Sequence, residues 1–299
     1  MAPQKKLCVF FASLRPFGYA QGMLCVRGCL FGCGLFALGL NCKNSLSTSS
    51  RTIIPGSFSQ AISHDGLQRS YRLYIPPTFD GNNPSALLIG LHGGRVTGES
   101  MELLTKNGFN NLADQDGFAV VYPDAYEMNW NDGREVAIYP SHTQNIDDVG
   151  FISNLIDTLI ADLNIDPGRV YVTGASNGAL MSHRLACELS DKIAAIAPVM
   201  GAIPEKIVST CSPTRPISVL AMNGTEDPTV PWEGGNVKFV RDVLGTVESV
   251  PGTIEHWVAH NGCSTTPIIT MEPDTDPGDS TTVRRESYNQ CRDDSEVIL

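Results

Sequence analysis

The stretch Gly174-Ala175-Ser176-Asn177-Gly178 sets a serine between two glycines, directly after the run Val170-Tyr171-Val172-Thr173. A serine hydroxyl is a weak nucleophile until a base takes its proton, so this spacing matters only if the chain presents the oxygen in a special way. The pattern by itself is common in turns, but its flanks are not. A strand-forming run precedes Ser176 and a helix-forming stretch from Ala179 to Leu189 follows it. That is the strand, sharp turn and helix of a nucleophile elbow. Gly174 and Gly178 have a steric role in such a turn, because side chains there would collide with neighbouring backbone.

Acyl transfer at a serine also needs backbone N–H donors aimed at the oxyanion that develops on the carbonyl. One donor is expected from Asn177, the residue after the nucleophile. The second is expected from the loop His92-Gly93-Gly94, which follows the apolar run Ala86 to Leu91, with Gly94 as the donor. His92 is then a structural residue whose ring holds that loop rather than a catalytic base.

In chain order, the motifs LHGG (91–94), VVYPDA (120–125), DDVGFI (147–152), DPGRVYVTGASNGALMSHRLAC (166–187), IAAIAPVMGAIP (193–204) and NGTEDPTVPWEGG (223–235) resemble the secreted polyhydroxybutyrate depolymerase and feruloyl esterase group of α/β-hydrolases. The resemblance covers residues 56–299. It implies an α/β-hydrolase fold, a mostly parallel central sheet with helices on both faces, and hydrolysis of a carboxylic ester through an acyl-enzyme. It implies Ser176 as nucleophile and Asp227 as the acid that orients the base. Asp227 also follows the apolar run Ser218 to Met222, in the loop where this fold places its acid, with Glu226 as its neighbouring alternative. Trp130 and Trp232 are candidates to line the ester pocket, each equally readable as a core or rim aromatic. Polyesters and feruloyl or acetyl esters are the implied substrates, and no metal or organic cofactor is implied.

The chain holds six histidines, to be tested against the order serine, acid, histidine. His64, His92 and His142 precede Ser176. His183 lies in the helix that starts beside the serine, about 10 Å along its axis, and is carried away from it. His256 and His260 follow Asp227, but the segment around them reads as a helix ending at Gly262, whose spacing presents them on a helix face. They lack the glutamate and third ligand that a metal pair would need. In the resembling family the histidine follows the last strand, and this sequence stops within that strand, at Leu299. Two expectations follow: an unpaired sheet edge at Glu296–Leu299, and, as the rival to an esterase, a non-catalytic protein that keeps the fold as a binding surface.

The elements that must position these groups alternate. Residues 71–76, 86–92 and 118–124 read as strands and 100–115 as a helix. Residues 147–163 read as a helix that turns Phe151, Ile152, Leu155, Ile156, Leu159 and Leu163 to one face and is capped by Asp147 or Asp148. Short apolar runs at 170–176, 194–202 and 218–225 are of the kind buried on both faces of a parallel sheet. The expected class is therefore α/β with one domain over 56–299.

Residues 1–42 carry Lys5, Lys6, Arg15 and Arg27 without an acidic residue, and an apolar stretch between Arg27 and Lys43 is of signal-peptide length. They read as a leader, with Met23 as the alternative start and Cys33 or Cys42 as candidate lipid-modified residues. Residues 43–55 read as a polar tether. Secretion or a periplasmic location is expected, without a transmembrane span. The net charge of −11 argues against nucleic acid as a partner. Five of nine cysteines fall in the leader, leaving Cys187, Cys211, Cys263 and Cys291 for the domain. Pairing 187 with 211 and 263 with 291 closes the shorter loops.

Overall fold

The computed structural model describes residues 53–299. The expected leader and most of the expected tether lie outside the described residues. Ile53, at the end of the expected tether, already packs against the domain core.

The strands are β1 (Gly56–His64), β2 (Leu67–Ile75), β3 (Ser85–Leu91), β4 (Ala119–Pro123), β5 (Ile165–Ala175), β6 (Ala195–Val199), β7 (Ser218–Leu220), β8 (Gly235–Phe239), β9 (Asp242–Val247), β10 (Ile268–Met271), β11 (Arg284–Tyr288) and β12 (Val297–Ile298). Ten form one sheet in the order β1-β2-β4-β3-β5-β6-β7-β12-β11-β10, and β8 and β9 pair separately as an antiparallel hairpin. From β4 to β12 the neighbours run parallel, and the outer pairs on both sides are antiparallel.

The helices are α1 (Gly98–Leu104), α2 (Gly108–Asp116), α3 (Pro140–Thr143), α4 (Asp148–Leu163), α5 (Asn177–Glu188), α6 (Glu205–Val208) and α7 (Val250–Asn261). Side chains alternate across a strand, and β4 shows what each face meets. Ala119 and Val121 join the core cluster that contains α4, whereas Val120 and Tyr122 join Met101 of α1 and Phe109 and Ala113 of α2. Helices therefore cover both faces, as the sequence implies. All six apolar residues expected on one face of α4 are buried, each contributing roughly 2 kcal/mol relative to exposure. Asp147 is the cap, its Oδ1 accepting from the Gly150 N–H at 2.8 Å, while Asp148 is buried against Arg69. α7 ends at Gly262 in the left-handed conformation, where the sequence places the stop.

Two expectations are corrected. The helix expected over 100–115 is two helices, because Lys106 and Asn107 both take left-handed φ values, 54° and 57°, which no α-helix of L-residues continues through. The end of the chain is not an open sheet edge. β12 lies between β7 and β11, paired with both, and Val297 is fully buried. Both expected disulfides are formed, Cys187–Cys211 and Cys263–Cys291. The first ties the end of α5 to the segment after α6, and the second ties the residue beyond α7 to the segment after β11. Each closes a loop of a size that contributes about 3 kcal/mol.

Candidate active site

Three loops leave the carboxyl ends of nearby parallel strands: 92–94 after β3, Ser176 after β5 and 223–227 after β7. The chain leaves β3 toward β4 on one side and leaves β5 toward β6 on the other. The crevice between β3 and β5 is thus the switch point where open α/β sheets bind their ligands.

Ser176 occupies the joint between β5 and α5 with φ 54° and ψ −118°, a conformation that glycine prefers and that costs an L-residue about 1–3 kcal/mol. Its N–H is held by the Val199 carbonyl at 2.9 Å. The flanking glycines are required by contact. A Cβ on Gly174 would lie 2.4 Å from the Gly178 carbonyl oxygen, and one on Gly178 would lie 2.4 Å from that of Leu91 and 2.6 Å from that of His92. The elbow is pressed against the end of β3 so closely that only hydrogen fits.

That closeness brings the glycine loop to the serine. A Cβ on Gly93 would stand 3.8 Å from Ser176 Cβ, and one on Gly94 would stand 3.7 Å from Asn177 Cβ. Among the described residues, neither the Gly94 nor the Asn177 N–H has a hydrogen-bond acceptor, as donors kept for an incoming oxygen would require. His92 is fully buried; its Nδ1 donates to the Gly93 carbonyl at 2.6 Å and its Nε2 accepts from the Ala125 N–H at 3.0 Å. Both nitrogens are occupied and burial pushes its pKa down, so the neutral ring is a strut for the loop.

The side chain of Asn177 has a second task that its place in the motif does not reveal. Its Oδ1 accepts from the Trp130 N–H at 2.8 Å, and its Nδ2 donates to Asp132 Oδ2 at 2.6 Å. Asp132 is fully buried and pairs with Arg134 at 2.8 Å, and Asn131 N–H reaches Asp148 at 2.7 Å. The segment 129–134 is thereby clamped under the elbow by buried polar groups. The signal for it was a dense polar run, Asn-Trp-Asn-Asp-Gly-Arg, too rich in hydrogen-bonding groups for an incidental loop.

Trp130 belongs to this clamp and not to an ester pocket. It is fully buried, its Nε1 donates to the His92 carbonyl at 3.0 Å, and its ring lies 5.1 Å from the imidazole. Trp232 is half-buried five residues beyond Asp227, against the cluster that holds Tyr139 and Leu244. Asp227 is half-buried while Glu226 is exposed. Asp227 Oδ1 accepts from the N–H groups of Thr229 and Val230 at 2.7 and 3.0 Å, which fixes the carboxylate and leaves Oδ2 without a partner among the described residues.

Among the described residues no histidine hydrogen-bonds to Ser176 or Asp227. His64 meets Asp147, and His142 lies under the 129–134 segment, donating to the Trp130 carbonyl. His183 is fully buried and accepts from Trp257 Nε1 at 3.2 Å; desolvation holds its pKa down at about 3. The rings of His256 and His260 stand perpendicular to the same tryptophan.

A mostly parallel sheet covered by helices, with a strained serine at the switch point, is the arrangement of an α/β-hydrolase. The chain belongs to the esterase PHB depolymerase family, whose family model matches residues 69–230. Similar curated proteins include feruloyl esterase B from Piromyces equi, 29% identical over 231 residues, 75% of this chain and 40% of that protein. The probable feruloyl esterase C of Aspergillus niger is 30% identical over 194 residues, 62% of this chain and 65% of that protein. The chain thus spans less than two thirds of either relative. The solved acetyl xylan esterase from Aspergillus awamori shares the fold, with a TM-score of 0.54 over 81% of this chain and 91% of that one at 17% identity. Among the described residues no helix is long and apolar enough to cross a membrane.

Proposed function

We propose that this protein is an exported serine ester hydrolase that forms an acyl-enzyme at Ser176. The observation that carries the reading is the backbone of Ser176 itself. Its positive φ is maintained between two glycines that admit no side chain, on a turn that lifts Oγ out at the sheet's carboxyl end.

In the reaction, Ser176 Oγ bonds to the carbonyl carbon of the ester as its proton passes to a base. The carbonyl oxygen takes up the negative charge between the N–H groups of Gly94 and Asn177. The carbon–oxygen bond to the alcohol then breaks, the alcohol leaving with the proton. Water repeats the sequence on the acyl-enzyme, releasing the acid and restoring the serine. Asp227, with Oδ1 pinned and Oδ2 free, is the acid that orients the base. None of the six histidines, placed as they are, supplies that base, so within these residues the proton passes to water and the serine-dependent turnover is slow. Trp232 stands as a pocket-wall residue on the acid side.

The names of the relatives favour feruloyl or acetyl esters of plant polysaccharide over polyesters as substrates. Two disulfides and the leader favour an oxidising compartment outside the cytoplasm. A panel of methyl ferulate, acetylated xylan and polyhydroxybutyrate, assayed with full-length protein and its Ser176→Ala variant, tests this reading. Serine-dependent release from the first two and not the third is the expected result. Turnover of polyhydroxybutyrate alone overturns the substrate class, and turnover that survives Ser176→Ala overturns the mechanism.

A further inference from the structure

The hairpin of β8 and β9 pairs with nothing in the main sheet, yet it touches both sides of the crevice. Its buried face sets Val237, Leu244 and Val247 into a small core that also contains Leu180, four residues beyond the serine, and Val230, three beyond the acid. On the acid side, the Lys238 N–H donates to the Thr229 carbonyl at 3.0 Å, in the same turn whose N–H groups hold Asp227. On the opposite side, Asp242 Oδ2 accepts from Arg95 Nη2 at 2.7 Å. The Arg95 guanidinium also lies 5.4 Å from the centre of the Phe239 ring, within cation–π range.

Arg95 follows Gly94 directly. The Gly93-Gly94 step has no side chains of its own to fix it, so its peptide is held by the His92 Nδ1 bond to the Gly93 carbonyl on one side and by whatever holds Arg95 on the other. Arg95 is held at φ 66° with its N–H on the Met128 carbonyl at 2.8 Å, so its backbone is anchored on one side and its side chain on the other. A loop of this kind keeps its N–H groups aimed only as well as its neighbours are held. The tip of the hairpin, meanwhile, exposes Phe239, Val240 and Val243, with Val240 at a positive φ of 58°. The tip is therefore held less by burial than by the contacts Asp242 and Phe239 make to Arg95.

We infer that the β8–β9 hairpin is a strap that sets the separation between the oxyanion loop and the acid loop, and that Arg95, through Asp242, is a second positioning residue for the Gly94 donor, beside His92. This rests on the reading of Ser176 as nucleophile. The ion pair is half-exposed, so its worth to global stability is small. Its worth to the reaction is geometric, because a donor displaced by a fraction of an ångström stabilises the oxyanion poorly while substrate still binds.

The test uses full-length protein with methyl ferulate, measuring kcat, KM and melting temperature for Asp242→Ala, Asp242→Glu, the reversed pair Arg95→Asp with Asp242→Arg, and Ser176→Ala. Asp242→Ala is expected to lower kcat about tenfold with KM changed less than about twofold and the melting temperature nearly unmoved. Asp242→Glu and the reversed pair are expected to recover most of the loss. Salt near 1 M is expected to lower wild-type kcat toward that of Asp242→Ala while leaving the variant unchanged, because screening weakens a half-exposed pair. The strap is overturned if Asp242→Ala keeps kcat within about twofold of wild type. A loss that neither repair variant restores, or one matched by a fall in melting temperature, overturns it equally. Residual turnover in Ser176→Ala would instead overturn the nucleophile reading, so the two failures are told apart.

Discussion

Ser176→Gly should make the protein more stable while removing its chemistry. The serine holds φ 54° and ψ −118°, where a Cβ is crowded by its own backbone. The comparison that isolates this strain is with Ser176→Ala, since both variants lack Oγ, which has no hydrogen-bond partner among the described residues. Relief of the strained backbone is worth about 1–3 kcal/mol. Against it stands the larger freedom glycine gains in the unfolded chain, about 0.4–1 kcal/mol. The net gain is about 1 kcal/mol, which in a domain of this size raises the melting temperature by about 2–4 °C. Thermal unfolding of the two variants by circular dichroism, side by side at one pH, reads this directly. A glycine variant that melts at or below the alanine variant would show that the elbow stores no strain.

Four further outcomes follow from the packing. His183 is buried with a pKa of about 3, against about 6.5 when unfolded, so the unfolded chain binds its proton first. Its contribution is complete above about pH 6.5 and is lost as pH falls toward 3; about 2 kcal/mol is gone by pH 5. Melting temperature against pH should fall less steeply below 6.5 for His183→Gln, which keeps an acceptor for Trp257, and parallel curves would contradict this. Gly178→Ala drives a methyl into the carbonyls of Leu91 and His92 and should cost at least about 2 kcal/mol in denaturant unfolding. Gly108→Ala, with open space around it, should instead be neutral or stabilising by about 0.5 kcal/mol. Asp132→Ala leaves the buried Arg134 without its counter-ion and should cost about 3–5 kcal/mol, more than Asp132→Asn.

What was legible in the sequence had a local cause. The elbow could be read because its two glycines, its serine and the strand and helix patterns that flank it are contiguous in the sequence, and the buried face of α4 because its period is that of the helix. The disulfides could be read from loop length. The break at Lys106 and Asn107 was not legible, since neither residue forces a left-handed backbone by itself and the surrounding stretch keeps helical composition. The role of Trp130 stayed open between core and pocket wall for a different reason. Its partners, His92 and Asn177, are 38 and 47 residues away, and nothing in a short window distinguishes a buried tryptophan from a pocket wall. The β8–β9 hairpin and its link to Arg95 also depend on contacts between distant segments, across 147 residues in the case of Asp242. The position of β12 between β7 and β11 is likewise a fact of sheet order, which the residues of β12 do not encode alone.

The central claim is that Ser176 is the nucleophile, and its most direct test is covalent capture. Full-length protein treated with a fluorophosphonate, digested and mapped by mass spectrometry should carry the phosphonyl group on the peptide containing Ser176. The label should vanish in Ser176→Ala, while the folded state, judged by circular dichroism, is unchanged. Labelling on any other residue, or equal labelling of the alanine variant, would contradict the assignment.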